Sequence, residues 1–246
     1  MLYIIGAVNS IPLDTLSHGA ATLGVTLSPH MLDAFEKYAS LLIAWNKKIN
    51  LTAIVVPQHI VEKHFLDSLS LLALLPQGPA SIIDIGTGAG FPGIPLAIVR
   101  PDLAVTLVEA TAKKASFLKA IKTALGLRNV TIVIDRAETL AHQPRLRETF
   151  DVAVGRAVAQ LATLAELTLP FVRINGMVVA QKNLGSESIE RATVAIETLG
   201  GVYEKEVAVP LPALADRRLI VIRKKTPTLA IYPRRVGVPA KKPIGN

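Results

Sequence analysis

The chain of 246 residues is half hydrophobic and 19% charged, the balance of a globular protein. It is long enough for one large α/β domain or a domain with a helical appendage. The absence of cysteine excludes disulfides, thiolate zinc sites and thiolate nucleophiles, and agrees with a cytoplasmic protein. The net charge of +8 is unevenly placed: nine Lys or Arg from Arg217 onward meet no acid, whereas the first 216 residues hold 18 basic and 19 acidic groups. That asymmetry points to a polyanionic partner, nucleic acid before membrane; a solvated tail that merely aids solubility is the alternative.

The N-terminal "MLYIIGAV" is too short to cross a bilayer, which takes roughly 20 residues, and lacks the basic start of a signal peptide; it reads as packed on the body or frayed. Residues 28–49 read as an amphipathic helix, with Ser28 as N-cap, Pro29 in the first turn, and Leu32, Phe35, Leu42 and Trp45 able to share a face. Residues 59–75 read as a second helix, stopped by Pro76, Gly78 and Pro79. His59 and His64, five apart, do not make a metal site, and no metal is expected.

From Ser81 the pattern changes to strand and helix in alternation. Strands are expected at 81–85, 104–110, 130–134, 150–154 and 175–182, helices up to about Arg100, at 112–127 and at 187–201. "EVAVPLP" and "RRLIVIRKK" read as a closing hairpin. The fold expected is α/β, a mostly parallel Rossmann-like sheet with helices on both faces. Three parts follow: an N-terminal helical segment (1–79), a core (80–225) and a basic C-terminal tail (226–246).

The loop "DIGTGAGFPGIP" (84–95) fits two ligand patterns. Gly88, Gly90 and Gly93 match the dinucleotide fingerprint; Asp84, Gly86, Gly88 and Gly90 match the cofactor loop of S-adenosylmethionine-dependent methyltransferases. A pyrophosphate needs free amides at the helix start, and Pro92 and Pro95 remove two of them. Asp84 would repel a pyrophosphate but attract a sulfonium or amino group. Lys and Ser/Thr do not follow Gly93, so a phosphate-binding Walker loop is excluded. Glu109, 21 residues beyond Gly88, sits where an acid reaches ribose hydroxyls in either reading. Ala137 and Glu138 fall beside the adenine edge.

The segment after the fourth strand, "DVAVGRAVAQL", lacks the Pro-Pro motif of exocyclic-amine methylation, and the missing cysteine excludes transfer to pyrimidine C5. A ring nitrogen, a hydroxyl or a small molecule remains. Guanine N7 is already nucleophilic and needs alignment rather than a base. Arg156, at the end of that strand, is suited to a cofactor carboxylate or an RNA phosphate, or to a structural ion pair. Trp45 reads as a core anchor, and Phe91 and Tyr232 as the candidates for stacking on RNA.

Taken together, "WNKKINLTAI", "HFLDSL", "DIGTGAGFPGIPLAI", "KKASFLK", "RAE", "GRAVAQL" and "YPRRVGVPAKKPI" resemble the glucose-inhibited division protein B family of small-subunit rRNA guanine-N7 methyltransferases, from about Leu32 to Ile244. The resemblance implies a class I S-adenosylmethionine-dependent methyltransferase acting on guanine N7 of 16S rRNA, free or in the small ribosomal subunit. It carries cofactor contacts onto Gly86, Phe91, Ala137, Glu138 and Arg156. With Asp84, Gly88 and Glu109 these form the expected cofactor set, Phe91 and Glu138 lining the adenosine. Arg156 and Lys182 are expected to face the target, and Arg234, Arg235, Lys241 and Lys242 to bind RNA. A monomer without membrane contact is expected. The competing readings are a methyltransferase for a small acidic metabolite and a non-catalytic RNA- or nucleotide-binding module.

Overall fold

The computed structural model describes residues 10–156, 160–185 and 189–245; the expectation for the apolar residues 1–8 lies outside them. Two helices open the described chain. The first, α1 (Leu13–Thr22), was not anticipated individually. Helix α2 (Pro29–Asn46) begins as expected, with Ser28 Oγ accepting from the Met31 amide. It stops three residues short of Ile49 because the Asn46 side chain folds the chain back on itself. Asn46 Oδ1 accepts from the amides of Leu51 and Thr52, and its Nδ2 donates to the Thr52 carbonyl.

A third helical run, α3 (57–74), widens into a π-helical turn at Val61–Leu66 and tightens to 3-10 geometry at Ser70–Leu74. Such widened turns are often found at functional sites, and this one carries Lys63 and His64. The core then alternates as the sequence suggests. In chain order it runs β1 (Ala80–Ile85), α4 (Gly93–Val99), β2 (Leu103–Val108), α5 (Ala112–Leu125), β3 (Val130–Val133), α6 (Ala137–Leu140), β4 (Phe150–Arg156), α7 (Leu161–Thr168), β5 (Val172–Asn183), α8 (Ile189–Thr198), β6 (Gly201–Ala208) and β7 (Arg217–Lys224). A short α9 (Val238–Lys241) lies near the end.

The seven strands form one sheet in the order β3-β2-β1-β4-β5-β7-β6. The first five are parallel, and β7 enters antiparallel between β5 and β6, giving the expected closing hairpin. Side chains alternate across the sheet, which separates two cores. Ile82, Val105, Val152, Val154, Val179 and Val221 face α1–α5. Ile83, Ala153, Val178, Ala180 and Ile220 face α6–α8. Trp45 is half-buried against Phe117, a core anchor as expected. Among the described residues no helix is long and apolar enough to cross a membrane.

Candidate active site

The glycine loop leaves β1 at its carboxyl end, where ligands dock in open α/β sheets. Asp84 is fully buried there. Its Oδ2 accepts from Thr87 Oγ1 at 2.6 Å and from the Gly93 amide at 2.8 Å, tying both ends of the loop to one carboxylate. A Cβ at Gly93 would overlap Leu107 and Asp84, so only glycine lets α4 start this close. Asp84 Oδ1, also buried, has no hydrogen-bond partner among the described residues. Burial raises the Asp84 carboxyl to about 6, against the lowering influence of Thr87, Gly93 and Arg156.

Glu109, one residue past β2, closes the other side. Its Oε2 accepts from the Gly88 amide at 3.1 Å and its Oε1 from the Thr111 amide at 2.7 Å. Each carboxylate oxygen has a second lone pair to offer. Gly88 has φ +61°, and a Cβ there would meet only the Gly86 carbonyl oxygen, at 3.9 Å. A ligand can therefore approach the backbone there without meeting a side chain. An unsatisfied buried acid, a second acid with spare acceptors and an open glycine backbone fit a cationic, ribose-bearing cofactor.

The loop is backed by an aromatic stack. Tyr38, fully buried, donates to the Ala89 carbonyl at 2.6 Å. Phe91 is stacked with His64 at 4.3 Å and with Tyr38 at 5.2 Å, and the Arg156 guanidinium lies 4.9 Å from its ring centre. The Phe91 ring thus belongs to the core and is only 4% exposed. It holds the loop in place, packed between His64 and Tyr38.

Arg156 ends β4 and reaches into the N-terminal segment. It donates to the Lys63 carbonyl (2.9 Å), to Asp67 Oδ2 (3.2 Å) and to His64 Nδ1 (3.0 Å). With Nδ1 accepting, His64 carries its proton on Nε2 and donates to Thr52 Oγ1, 2.9 Å away. Burial, and then the Arg156 charge, lower His64 to about 3, so it is neutral at physiological pH. Asp67 is fully buried and also meets Arg217: Nη2 donates to its Oδ2 at 3.0 Å, and Nε lies 2.8 Å from Oδ1. Gln181 Nε2 donates to the Asp67 carbonyl and to Oδ1. One buried carboxylate from α3 therefore fixes side chains from β4, β5 and β7.

Comparison with known proteins decides what this site belongs to. Residues 31–211 match the family model for rRNA small subunit methyltransferase G. A ribosomal RNA small subunit methyltransferase G from a Roseiflexus species is 48% identical over 94% of this chain and 100% of its own length. Its counterpart from Dehalococcoides mccartyi is 44% identical over 94% and 100%. The chain belongs to the rRNA small subunit methyltransferase G family. It is therefore a methyltransferase enzyme. Its fold also resembles that of a SAM dependent methyltransferase from Aquifex aeolicus, with a TM-score of 0.53 at 16% identity over 73% of this chain and 96% of the other.

In this methyltransferase the expected pairing of Arg156 with Lys182 changes. Arg156 stands beside Gln181 in the β4–β5 register, so the pleat puts Lys182, which is buried, on the opposite face. Sequence reasoning missed Asp67, Gln181 and Arg217 as a group. The signal the sequence offered was that His64 and Asp67, three residues apart, share a helix face.

The tail also departs from expectation. Of the nine basic residues from Arg217 onward, five are in ion pairs among the described residues, four of them in β7 and one in the tail: Arg217 with Asp67, Arg218 with Glu206, Arg223 with Glu204, Lys224 with Glu148, and Arg234 with Glu166. Arg234 is tied into the fold. Its guanidinium grips the fully buried Glu166 at 2.6 Å, and its amide donates to the same carboxylate. Glu138 accepts from the Gly237 amide at 3.0 Å, so it anchors the tail, while Ala137, the first residue of α6, is buried. Arg147 donates to the carbonyls of Thr228, Leu229 and Tyr232, and Thr163 to that of Pro239. Tyr232 packs, half-buried, on this core. Arg235, Lys241 and Lys242 remain exposed and, with Arg234 and Val238, surround a hollow of about 440 Å³.

Proposed function

We propose that this enzyme transfers the methyl group of S-adenosylmethionine to N7 of a guanine in 16S rRNA. The observation that carries this reading is the cradle at the ends of β1 and β2, where a buried acid with an unsatisfied oxygen and a second acid hold a glycine loop between them. Asp84 would receive the amino end of the cofactor, and Glu109 would offer its spare lone pairs to the ribose hydroxyls. Gly86 and Gly88 would let the cofactor close on the backbone. Ala137 and Glu138 would flank the adenine through the turn that opens α6. When bound, the cofactor supplies an electrophilic methyl group on a cationic sulfur.

Guanine N7 has a free lone pair and no proton at neutral pH. The chain therefore has to align the base, and no side chain need act as a general base. His64, held neutral and already hydrogen-bonded through both ring nitrogens, suits a positioning role and not proton transfer. Arg156 serves in the same way, because its donors hold the π-helical turn. Arg235, Lys241 and Lys242 would meet RNA phosphates. The enzyme would act in the cytoplasm as a monomer, since one chain carries the whole cradle; sedimentation at working concentration checks the latter.

The test is transfer from tritiated S-adenosylmethionine to 16S rRNA, free and within small subunits, from a strain lacking this protein. Label should appear at one guanine and be released by cleavage specific for N7-methylguanine. Cofactor binding without RNA label would refute the reading.

A further inference from the structure

A cavity of about 460 Å³ opens at the carboxyl ends of β4 and β5 and the start of β7. It is lined by Lys63, His64, Arg156, Asn183, Asp216 and Arg217, with Ile54 and the turn Pro212–Ala215 as its less polar wall. Its size falls within the range of small-ligand sites. It lies on the face of the sheet that carries Asp84, because Arg156, Gln181 and Arg217 share the phase of the core on that side.

The charges around this cavity are arranged for a nucleotide. Arg156 and Arg217 are both held by the buried Asp67, and Arg217 also donates to Asn183 Oδ1 at 2.9 Å. Their positions are therefore fixed before any ligand arrives. Lys63 is exposed at the rim. Against these three cations the lining contains one carboxylate, Asp216. Its backbone is anchored, since its carbonyl accepts from the Leu184 amide. Its side chain is exposed and has no hydrogen bond or ion pair among the described residues.

A carboxylate has only acceptors. Guanine presents two adjacent donors, N1–H and the N2 amino group, on the edge remote from N7. Adenine presents an acceptor at N1 and would be repelled. A base gripped by that edge keeps N7 free for the methyl group.

We propose that this cavity receives the target guanosine, with Asp216 reading N1–H and N2–H and with Arg217 and Lys63 taking the adjoining phosphate. The assignment rests on the guanine-N7 reading above and adds the residues that would select the base. The turn Pro212–Leu214 and Ile54 would flank the ring. Asp216 is here a specificity residue, not a source or sink of protons.

The experiment uses reconstituted small subunits whose target position, once mapped, carries guanosine or inosine. Inosine keeps N7 and N1–H but lacks the N2 amino group. For the wild-type enzyme kcat/KM should fall about 10-fold or more from guanosine to inosine, as expected for a lost hydrogen bond to a charged acceptor. For Asp216→Ala, kcat/KM on guanosine should fall 10- to 100-fold, and the preference for guanosine over inosine should shrink to within about 3-fold. Cofactor affinity, measured by calorimetry on the same variant, should match wild type and show that the fold is intact. Lys63→Ala should raise KM and lower the slope of log affinity against log salt by about 0.7. Retention of the wild-type preference by Asp216→Ala, or an equal loss on both bases, overturns the assignment while leaving N7 methylation standing. Absence of any N7 methylation by the wild type overturns both.

Discussion

The N-terminal segment and the C-terminal tail both close over the sheet, on opposite faces and with different consequences. The N-terminal segment puts a buried carboxylate, Asp67, against two arginines of the active-site edge, and stacks His64 on the ring that backs the cofactor loop. The tail uses similar parts for attachment. Glu166 holds Arg234, Glu138 accepts from the Gly237 amide, and Arg147 donates to the carbonyls of Thr228, Leu229 and Tyr232. One appendage builds the site; the other clamps the core and adds exposed cations at its rim. An ion pair in a fold thus says little about function until its partners are traced to a strand end or to a scaffold.

The sharpest way to break this comparison is to neutralise each buried acid or its partner. Asp67→Asn leaves two partly buried guanidinium groups without a counter-charge and should cost about 3–5 kcal/mol of stability. Glu166→Gln leaves only Arg234, whose side chain is 28% exposed and can be hydrated, and should cost less, about 1–3 kcal/mol. Urea denaturation of both variants measures the difference. Equal costs would mean that the two clamps are equivalent.

Next in size is Asp84→Asn. Removing the unsatisfied buried charge should weaken cofactor binding at least 10-fold at pH 7.5, read by calorimetry. The same change should raise the stability of the free protein above pH 6 by about 1–3 kcal/mol, since a carboxyl raised to about 6 opposes folding when ionised. Cofactor affinity of the wild type should decline as pH drops through about 6. An affinity unchanged in the variant would remove Asp84 from the cofactor site.

The two perturbed groups of the site have opposite pH signatures. Asp84 has a raised folded-state value, so the stability it contributes is present below the unfolded value near 4 and lost as pH rises through about 6. His64 has a lowered value, so its contribution is present above about 6.5 and lost as pH falls toward about 3. Between about pH 4 and 6 they offset one another. His64→Gln should expose the Asp84 slope, with stability rising as the solution is acidified over that window, and Asp84→Asn should expose the reverse. Parallel profiles for both variants would contradict the assignment.

The smallest effect concerns the rim. Replacing Lys241 and Lys242 by Ala should leave cofactor affinity and stability nearly unchanged. The slope of log RNA affinity against log salt should fall by about 1.4, two single-strand phosphate contacts. An unchanged slope would assign the exposed cations to solubility alone.

Much of the core was legible before any coordinates. The alternation of β-rich runs and helical lengths, the glycine loop after Asp84 and the final hairpin follow from patterning and turn chemistry. Helix α7 was not legible because "LATLAELT" is buried all round and lacks an amphipathic stripe. The end of β5 misled for a related reason. Lys182 is the conspicuous residue, but the pleat turns Gln181 toward Arg156. The basic tail misled through arithmetic, since local net charge counts residues along the chain. The acids that pair with the basic residues from Arg217 onward (Asp67, Glu148, Glu166, Glu204 and Glu206) come from earlier elements of the fold.

Single-turnover methyl transfer by Asp67→Asn and Arg234→Ala tests the account most directly, at saturating cofactor and at a temperature where both variants are folded. The rate should drop more than about 100-fold for Asp67→Asn, because Arg156 and Arg217 lose their fixed positions, and should stay within about 3-fold of wild type for Arg234→Ala. Equal slowing of the two, or a wild-type rate in Asp67→Asn, would contradict the division between a segment that builds the site and a tail that clamps the fold.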